Sequence, residues 1–385
     1  MTLDVIRNLN TNSQDFLCKF NILGLSAGQN LLILTKQIQE FSPNIVCVKY
    51  EQDAYKLKQK FVHIDFVHGK LGLEKLASQS NCDLIINSIS GIHGINPTFV
   101  AAEHGQKIAL ANKESIVAGG EILNKIININ NNKILPLDSE HSAIWQCLNG
   151  AHGQKLCNVN KKNIKKFILT ASGGPFKNYN INNLKAVTPE QACHHPIWPM
   201  GPKISIDSAT MANKGFEIIE AAFLFDFDVS KIDVVIHPES IVHSMIEFID
   251  GSVLAQMSTP DMHLPIQYAL TFPNRMSSSS QQLDLTRISS LNFESPSTDT
   301  NEFLLIFKTA VTSGPSYCCA LCAADELAVD AFLRNSIKFT DIKKVINHAI
   351  KNIIHKNINS LQEIIDEINN FKLISQEFIN FIKNK

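Results

Sequence analysis

The chain has 385 residues, more than one hydrophobic core usually serves, so two or three domains are expected. Its formal net charge of -1 at pH 7 removes the simplest case for a nucleic-acid or acidic-surface partner. Hydrophobic residues make up 44% and charged residues 18%, which is typical of a folded globular chain and excludes extensive disorder.

Two features of the sequence bear on its cellular location. No apolar run is long enough to span a bilayer, and the first residues have the pattern of neither a secretory leader nor an Arg-rich presequence. The nine cysteines are an odd number and are scattered through apolar stretches, which indicates reduced, buried thiols rather than a disulfide framework. We therefore expect a cytoplasmic protein.

The first third of the chain alternates short apolar runs with longer amphipathic stretches. Strands are predicted over residues 20–25, 45–48, 83–87, 108–111 and 134–137. Segments long enough to be crossover helices separate them, so the pattern predicts a parallel sheet covered by helices on both faces. Ligands bind such sheets at the carboxyl ends of the strands, and Gly28, Ser88 and Asn112 stand near the predicted ends. Each of these signals taken alone is more often an ordinary turn.

The stretch from Asp138 to Ser142 places two carboxylates just after the fifth predicted strand. If it is extended, Asp138 and Glu140 are two residues apart and point to the same side. Two converging carboxylates suit Mg²⁺ or Mn²⁺, which keep several waters and take few protein ligands. The alternative is that Asp138 or Ser139 caps a helix that begins near Ser142, with Glu140 in its first turn.

Two segments further along combine polar groups with turn-forming residues. Ser172 precedes two glycines after an apolar strand, where backbone N–H groups could approach an anion closely, although a plain tight turn is equally compatible. The segment from Cys193 to Pro202 holds three prolines, two histidines and Trp198. Its apolar groups could exclude water as a lid while His195 contributes a hydrogen bond, and a surface loop is the alternative.

If a helix begins after Asp207 or Ser208, it brings three polar side chains to one face. Asn213 and Glu217 are four residues apart and Lys214 and Glu217 are three apart, so an amide, an ammonium and a carboxylate meet. Together they can bind a phosphate and complete a metal's ligand set, whereas the alternative is a common surface ion pair. Gly215 argues mildly against that alternative, because a mid-helix glycine is explained by close approach of a ligand or another backbone.

The rest of the chain changes character twice. From residue 167 the pattern is α+β, with strands predicted over residues 167–170, 234–237 and 252–257. A Ser-rich stretch at 277–282 is the best linker candidate, and helical periodicity dominates from about Glu302, with Leu304 and Phe307 on one face. The predicted division is therefore 1–137, 138–272, a linker at 273–299 and a helical part at 300–385.

A series of separate motifs stands in one order along the chain. They are Ala111-Asn112-Lys113-Glu114-Ser115, Asp138-Ser139-Glu140-His141, Ser172-Gly173-Gly174-Pro175-Phe176, His195-Pro196, Asp207-Ser208-Ala209-Thr210-Met211, Asn213-Lys214-Gly215 with Glu217, and His237-Pro238 with Ser240. With these motifs the chain resembles the 1-deoxy-D-xylulose 5-phosphate reductoisomerase family of the non-mevalonate isoprenoid pathway. The resemblance runs from Thr2 to near Leu333, and so many motifs in one order make coincidence implausible.

The resemblance implies a fold and an activity. The fold is α/β, with a Rossmann-like parallel sheet domain for NADPH, an α+β catalytic domain and a C-terminal helical bundle, assembled as a homodimer. The activity is conversion of 1-deoxy-D-xylulose 5-phosphate to 2-C-methyl-D-erythritol 4-phosphate. A carbon–carbon rearrangement assisted by Mg²⁺ or Mn²⁺ would come first, and hydride transfer from NADPH would follow.

The resemblance also implies roles for residues of this sequence. The metal ligands would be Asp138, Glu140 and Glu217. The substrate-binding residues would be Lys113, Ser139, Glu140, Ser172, His195, Ser208, Asn213, Lys214 and Glu217. Of these, Lys113, Glu140, His195 and Glu217 would be catalytic. The cofactor-binding residues would be Gly28, Gln29, Asn30, Asn112, Glu114 and Gly201. The segment with Trp198 and Met200 would close as a lid.

One part of the family pattern is absent from this sequence. In the family a strand and a Gly-x-Thr-Gly-x-x-Gly turn precede the helix that here starts near Thr2, and that turn presents backbone N–H groups to the pyrophosphate. We therefore expect the Rossmann-like domain to lack its first strand, through a misplaced start codon or a degraded gene. Gln29 is also uncharged where the family often has a basic residue. Two alternatives to the reductoisomerase are an inactive remnant that binds metal and phosphate, and a metal-dependent lyase without redox chemistry.

Overall fold

The computed structural model describes residues 1–11, 19–130, 132–152, 161–177 and 179–384. Its first part alternates helices and strands. In chain order these are α1 (Thr2–Thr11), β1 (Gly24–Ala27), α2 (Leu31–Phe41), β2 (Ile45–Val48), α3 (Glu51–Lys60), β3 (Asp65–His68), α4 (Gly69–Ala77), β4 (Ile85–Asn87), α5 (Ile95–Glu103), β5 (Ile108–Leu110), α6 (Lys113–Ile129) and β6 (Ile134–Pro136).

The strands of this part form two parallel three-stranded sheets, ordered β1-β2-β3 and β4-β5-β6. The middle strands β2 and β5 are buried throughout, as expected for parallel strands covered by helices on both faces. β1 and β4 are only partly buried, and among the described residues no ladder joins these two strands. The expected Rossmann-like α/β fold is confirmed. Strand β3 was not predicted, because two of its four residues, Asp65 and His68, are polar and exposed and so leave no apolar run.

The middle part is α+β, as the sequence predicts. It contains α7 (Ser139–His152), β7 (Ile164–Ala171), α8 (Ile181–Lys185), α9 (Pro189–Cys193), α10 (Pro202–Thr210), α11 (Ala212–Leu224), β8 (Ile232–Ile236), β9 (Val242–Phe248), β10 (Val253–Met257) and α12 (His263–Thr271). The sheet order is β10-β9-β7-β8, with β7 parallel to β8 and antiparallel to β9. Helices α7 and α11 pack on this sheet through Ile144 and Ile218.

The predicted helix start after Asp207 or Ser208 is wrong, because the structure has two helices in this stretch. Gly201 and Pro202 start α10 before Asp207, and a proline at the first helical position is favoured because its missing N–H has no helical partner. Met211 then takes a left-handed conformation with φ 69°, which ends α10 and begins α11. Nothing in the propensity of methionine predicts that conformation, which only the surrounding packing can impose.

The last part is helical, with α13 (Thr298–Ser313), α14 (Pro315–Leu333), α15 (Phe339–Lys351) and α16 (Leu361–Lys383). These helices share one apolar cluster with α5 and α6, in which Phe99 and Ile116 join Phe332 and Phe371. Fully burying each such side chain stabilises the fold by roughly 1.5–3 kcal/mol. The predicted C-terminal helices therefore pack directly on the first part of the chain.

The chain between α12 and α13 is irregular and lies along the middle sheet. Ile236, at the end of β8, forms an isolated antiparallel bridge with Glu294. His237 Nδ1 lies 2.8 Å from the Asn292 carbonyl oxygen, and its ring stacks on Phe293. Within the described parts of the chain, no helix has both the length and the apolarity needed to cross a membrane.

Candidate active site

Three carboxylates from separate elements meet beside the end of the second parallel sheet. Asp138 follows β6, Glu140 lies in the first turn of α7, and Glu217 comes from α11. One oxygen of each lies within 4.8 Å of the others. Such hard oxygen donors, converging from three sides, can hold a divalent cation such as Mg²⁺ or Mn²⁺.

The local backbone at the first two carboxylates differs from the extended segment that the sequence suggested. Helix α7 begins at Ser139, and the Asp138 carbonyl accepts a hydrogen bond from the Ser142 N–H at 2.8 Å. The helix-start alternative therefore describes the backbone correctly. The two carboxylates nevertheless converge, because the chain turns from β6 into α7 between them.

Two lysines insert their ammonium groups among the carboxylates. Lys113, the first residue of α6, contacts Asp138, and its Nζ lies 3.2 Å from Glu217 Oε1. Lys214 contacts Glu217, and its Nζ lies 2.8 Å from Glu140 Oε1. Three carboxylates thus face two ammonium groups, and Lys214 and Glu217 are buried. The surplus of negative charge in a mostly buried place favours a further cation.

The charges shift the pKa values of the carboxyl groups in opposite directions. Burial opposes ionisation of Asp138, but the Lys113 ammonium and His141 bring its pKa well below the usual range. Burial, followed by the neighbouring Glu140 charge, raises the pKa of Glu217. Glu217 therefore gains most from a positive charge placed between the three groups.

A buried layer behind the carboxylates was not predicted as part of the site. His141 is fully buried, and its Nε2 lies 2.9 Å from the Glu217 carbonyl oxygen. Its Nδ1 lies 3.6 Å from both Asp138 Oδ2 and Glu220 Oε2. Burial raises the pKa of Glu220 to about 7. The spacing of Glu217 and Glu220, three residues apart on a helix, was the available signal.

Two smaller polar groups donate hydrogen bonds to the carboxylates. Asn213 Nδ2 donates to Glu217 Oε1 at 2.5 Å, and Ser139 Oγ donates to Glu140 Oε2 at 2.5 Å. Ser172 precedes two glycines with positive φ values of 85° and 67°. A Cβ on the second of them, Gly174, would lie 2.8 Å from the Ser208 carbonyl oxygen, so only glycine lets this turn approach α10.

Gly215 makes room for an aromatic side chain, whereas the sequence suggested close approach of a ligand or another backbone. A Cβ at Gly215 would lie 2.4 Å from the Phe307 ring of α13. The close approach is therefore that of an aromatic side chain from the C-terminal part, and neither a ligand nor a backbone accounts for it.

The loop with three prolines contacts the Ser172 turn through His195 and the strand β9 through Trp198. His195 Nδ1 accepts the N–H groups of Ile197 at 3.2 Å and Trp198 at 2.9 Å, which leaves the proton on Nε2. Nε2 lies 3.0 Å from Ser172 Oγ. The Trp198 ring meets the His243 ring edge-on, with centroids 6.0 Å apart. Burial lowers the pKa of His195, in keeping with a neutral ring.

The six residues expected to bind the cofactor lie in three separate places. Gly28, Gln29 and Asn30 follow the carboxyl end of β1, where Asn30 Oδ1 accepts the Ile33 N–H and caps α2. Asn112 and Glu114 follow β5 on either side of Lys113. Gly201 caps α10 on the far side of the proline-rich loop. The first two places are carboxyl ends of parallel strands, where ligands of such sheets bind.

Asn112 also has a structural role that sequence reasoning did not foresee. It is buried, its Oδ1 accepts the Ser115 N–H at 2.9 Å, and its Nδ2 donates to the carbonyl oxygens of Ile89 at 2.7 Å and Gly91 at 2.8 Å. It therefore ties the turn after β4 to the start of α6 and sets the direction in which Lys113 leaves the sheet.

The fold and the site together define a class: Rossmann-like α/β proteins with a carboxylate and lysine cluster at the carboxyl edge of the parallel sheet. Family models identify the particular group. Residues 1–120 match 1-deoxy-D-xylulose 5-phosphate reductoisomerase, residues 134–225 match its C-terminal domain, and residues 257–372 match a further DXP reductoisomerase C-terminal domain. The chain belongs to the 1-deoxy-D-xylulose 5-phosphate reductoisomerase family, as its motifs indicated.

Relatives named as reductoisomerases match nearly the whole chain. The 1-deoxy-D-xylulose 5-phosphate reductoisomerase of Caldanaerobacter subterraneus is 44% identical over 380 residues, covering 98% of this chain and 94% of the relative. That of Thermodesulfovibrio yellowstonii is 43% identical over 350 residues, covering 90% and 89%. These matches give no support to an inactive remnant.

Solved structures give the same result. A crystal structure of DOX-P reductoisomerase with NADPH, fosmidomycin and magnesium matches with a TM-score of 0.93 and 36% identity, covering 99% of this chain and 95% of that one. The Zymomonas mobilis enzyme in complex with NADPH matches with a TM-score of 0.86 and 31% identity, covering 97% and 95%.

Proposed function

We propose that the carboxylate and lysine cluster is the active site of a reductoisomerase that converts 1-deoxy-D-xylulose 5-phosphate to 2-C-methyl-D-erythritol 4-phosphate with NADPH and Mg²⁺ or Mn²⁺. The observation that carries the proposal is the meeting of Asp138, Glu140 and Glu217 with two lysines in a member of this family. A solved relative contains NADPH, magnesium and the inhibitor fosmidomycin.

In the proposed site Asp138, Glu140 and Glu217 hold the metal. Their oxygens are hard donors within 4.8 Å of one another, and the two ammonium groups leave one carboxylate charge uncompensated, so the residues fit a divalent ion. When bound, the ion supplies Lewis-acid polarisation of the adjacent carbonyl and hydroxyl oxygens of the substrate. Ser139 lies between two of the ligands and faces the substrate.

The substrate's phosphate lies between the Ser172 turn and the helices α10 and α11. Ser172, Ser208 and His195 supply donors on one side, and Asn213 and Lys214 supply donors on the other. The Gly174 N–H, now directed at Ser172 Oγ at 3.2 Å, belongs to the same concave turn. Lys214 serves both the phosphate and Glu140, which couples phosphate binding to the carboxylate cluster.

The chain's own groups handle protons and exclude water during the rearrangement, a retro-aldol step followed by an aldol step. Lys113, with its ammonium between Asp138 and Glu217, stands where the charge on a reacting oxygen is stabilised. Glu140 and Glu217 are placed to accept a proton, and His195 Nε2 holds one. Trp198 and Met200 cover the site, so that the intermediate aldehyde is kept from water.

Most of the residues that would hold the cofactor lie at the carboxyl edge of the parallel sheets. When bound, NADPH supplies the hydride that reduces the aldehyde. Gly28, Gln29 and Asn30 at the end of β1 contact one part of it. Asn112, Glu114 and Gly201 would make the remaining contacts.

We also propose the division of the chain and its assembly. A cofactor domain at 1–137, a catalytic domain at 138–272, a linker at 273–299 and a helical domain at 300–385 accord with the order of the elements.

A homodimer is supported by the outer strand β10, whose edge exposes Val253 (48%) and Leu254 (40%). The cytoplasm is the proposed compartment because the seven described cysteines are free thiols.

The test is direct. The purified protein, supplied with Mn²⁺ and NADPH, is expected to oxidise NADPH only when 1-deoxy-D-xylulose 5-phosphate is added, with formation of the branched polyol phosphate. Chelation of the metal should stop the reaction. Absence of NADPH oxidation would overturn the proposal, and turnover of the substrate without any nicotinamide would favour a lyase.

A further inference from the structure

A second charged cluster lies behind the proposed active site, centred on Lys203 of α10. Lys203 Nζ lies 2.6 Å from Asp207 Oδ2 and 2.7 Å from Asp325 Oδ2. It also lies 3.7 Å from Glu114 Oε1 and 5.5 Å from the centre of the Phe216 ring. One ammonium thus faces three carboxylates from three different elements.

The cluster is too deeply buried to be an ordinary surface ion pair. The side chains of Asp207 and Asp325 are 4% and 1% exposed, and that of Lys203 is 20% exposed. Asp207 Oδ1 and Asp325 Oδ1 are buried without a hydrogen-bond partner in the described structure. Burial, followed by the charge of Asp325, raises the pKa of Asp207 well above its usual range. A buried group of this kind is costly and needs a reason beyond stability.

Two of the three carboxylates stand next to groups that the proposed reaction uses, and the third joins them to the C-terminal helices. Asp207 precedes Ser208, which faces the substrate phosphate. Glu114 accepts the Asn112 amide at 2.9 Å and stands one residue after Lys113. Asp325 comes from α14, which belongs to the C-terminal helices. Lys203 itself follows Gly201 and Pro202, at the end of the proline-rich loop.

We propose that Lys203 is a positioning residue, whose ammonium holds the phosphate-binding end of α10, the cofactor-binding turn at Glu114 and helix α14 in one arrangement. This inference rests on the proposed function, since Ser208 and Glu114 are the groups being positioned. Without the ammonium, the carboxyl groups of Asp207, Asp325 and Glu114 lose their shared partner, and α10 moves away from α6 and α14. Both the phosphate side and the cofactor side of the site then lose their alignment.

The test compares Lys203→Met with Lys203→Arg in the full-length protein. Lys203→Met is expected to raise the KM for 1-deoxy-D-xylulose 5-phosphate and the KM for NADPH, each about tenfold, with kcat reduced less than threefold, since small misplacements of positioning groups have effects of this order or larger. Lys203→Arg keeps the charge and is expected to restore both KM values to within about threefold of the parent protein.

A matched control is Lys356→Met, which breaks an ion pair to the buried Glu367 far from the site. It should lower the melting temperature without changing either KM. If Lys203→Met folds poorly, Lys203→Met with Asp325→Asn removes one unpaired charge, and its refolded fraction should still show both raised KM values.

Three outcomes would overturn the inference. Unchanged KM values with a lowered melting temperature would make Lys203 merely structural. A rise confined to the KM for NADPH would make it a direct cofactor contact, and a failure of arginine to rescue would exclude a role for the charge. The parent protein in the same assay separates these outcomes from failure of the proposed function, which would leave the parent itself inactive.

Discussion

Glu217 is the carboxylate on which the proposed metal site depends most. It is fully buried, contacts both lysines and accepts the Asn213 amide. Glu217→Gln keeps the shape but removes the charge, so both metal affinity and turnover should fall. The loss of affinity should reach at least the roughly 10–100-fold that disturbance of outer partners produces. Titration with Mn²⁺ followed by its magnetic resonance signal measures it, and unchanged activity would contradict the assignment.

Substitution of Lys113 is expected to strengthen metal binding, in contrast to substitution of Glu217. Its ammonium lies against Asp138 and 3.2 Å from Glu217 Oε1, in the place where a cation is expected. Lys113→Met removes a like charge from the neighbourhood of the metal, so Mn²⁺ should bind at least about tenfold more tightly without substrate, because a nearby cation repels the metal ion. Turnover should nevertheless be lost.

The comparison protein for that experiment is Lys125→Met, whose ion pair with Glu121 is exposed and distant from the carboxylates. Its Mn²⁺ affinity should equal that of the parent protein. Weaker Mn²⁺ binding in the Lys113 variant would show that the ammonium supports the metal site rather than competing with the ion.

His195 gives a pH dependence whose sign follows from its hydrogen bonds. Burial lowers its pKa from 6.5, and its Nδ1 must be unprotonated to accept two backbone N–H groups. The stabilisation of the loop is therefore complete above pH 6.5 and is lost as the pH falls through the lowered pKa. Below that point the loop should open and Trp198 should become accessible to a quencher.

The measurement is tryptophan fluorescence with an added neutral quencher across that pH range. The chain has two tryptophans, and Trp145 is fully buried. A Trp198→Phe variant should therefore lose the pH-dependent quenching. If the quenching of Trp198 did not change with pH, the ring of His195 would not control the loop.

At the scale of elements, the contact between α11 and α13 determines where the site residues stand. α11 carries Asn213, Lys214 and Glu217, and Gly215 between them leaves room for the Phe307 ring. Gly215→Ala would place a Cβ 2.4 Å from that ring, so the helices must separate. Overpacking of this kind costs about 1–3 kcal/mol. We expect lower stability together with weaker substrate binding, measured by denaturant unfolding and by KM.

Gly150→Ala is the matched control for this prediction. Gly150 also lies in a helix, α7, but a Cβ there meets no atom of the described residues within 4 Å. The substitution should leave stability unchanged or raise it by up to about 1 kcal/mol through helix propensity. Combining Gly215→Ala with Phe307→Leu should recover part of the loss. Equal effects of the two glycine substitutions would exclude the steric explanation.

The whole molecule is predicted to associate through its outer strand. In the described part of the chain β10 is the outer strand of its sheet and exposes Val253 and Leu254, and such an edge is a template for pairing with another chain. Leu254→Glu should weaken a dimer that uses this edge, which sedimentation at several concentrations measures. Leu373→Glu, at an exposed position of α16, is the control and should leave association unchanged. A dimer equally stable in both variants would place the interface elsewhere.

Much of the architecture could be predicted because it depends on local patterns. Strands β2 and β5 are short apolar runs between crossover helices, and parallel strands of this kind are buried on both faces. The periodicity that brings Asn213, Lys214 and Glu217 to one helical face also holds in the structure, since helical side chains three and four residues apart are neighbours. Strand β9 was missed because His243 and Ser244 interrupt its apolar pattern, although both are buried.

The sequence by itself determined the α/β class, the family and the types of side chain that meet at the site, because motifs and periodicities are properties of neighbouring residues. Only the tertiary structure decided how those groups face one another. The left-handed Met211, the Phe307 ring over Gly215 and the three carboxylates around Lys203 all depend on contacts between distant parts of the chain. Such contacts arise from packing and buried charge, which no local pattern specifies.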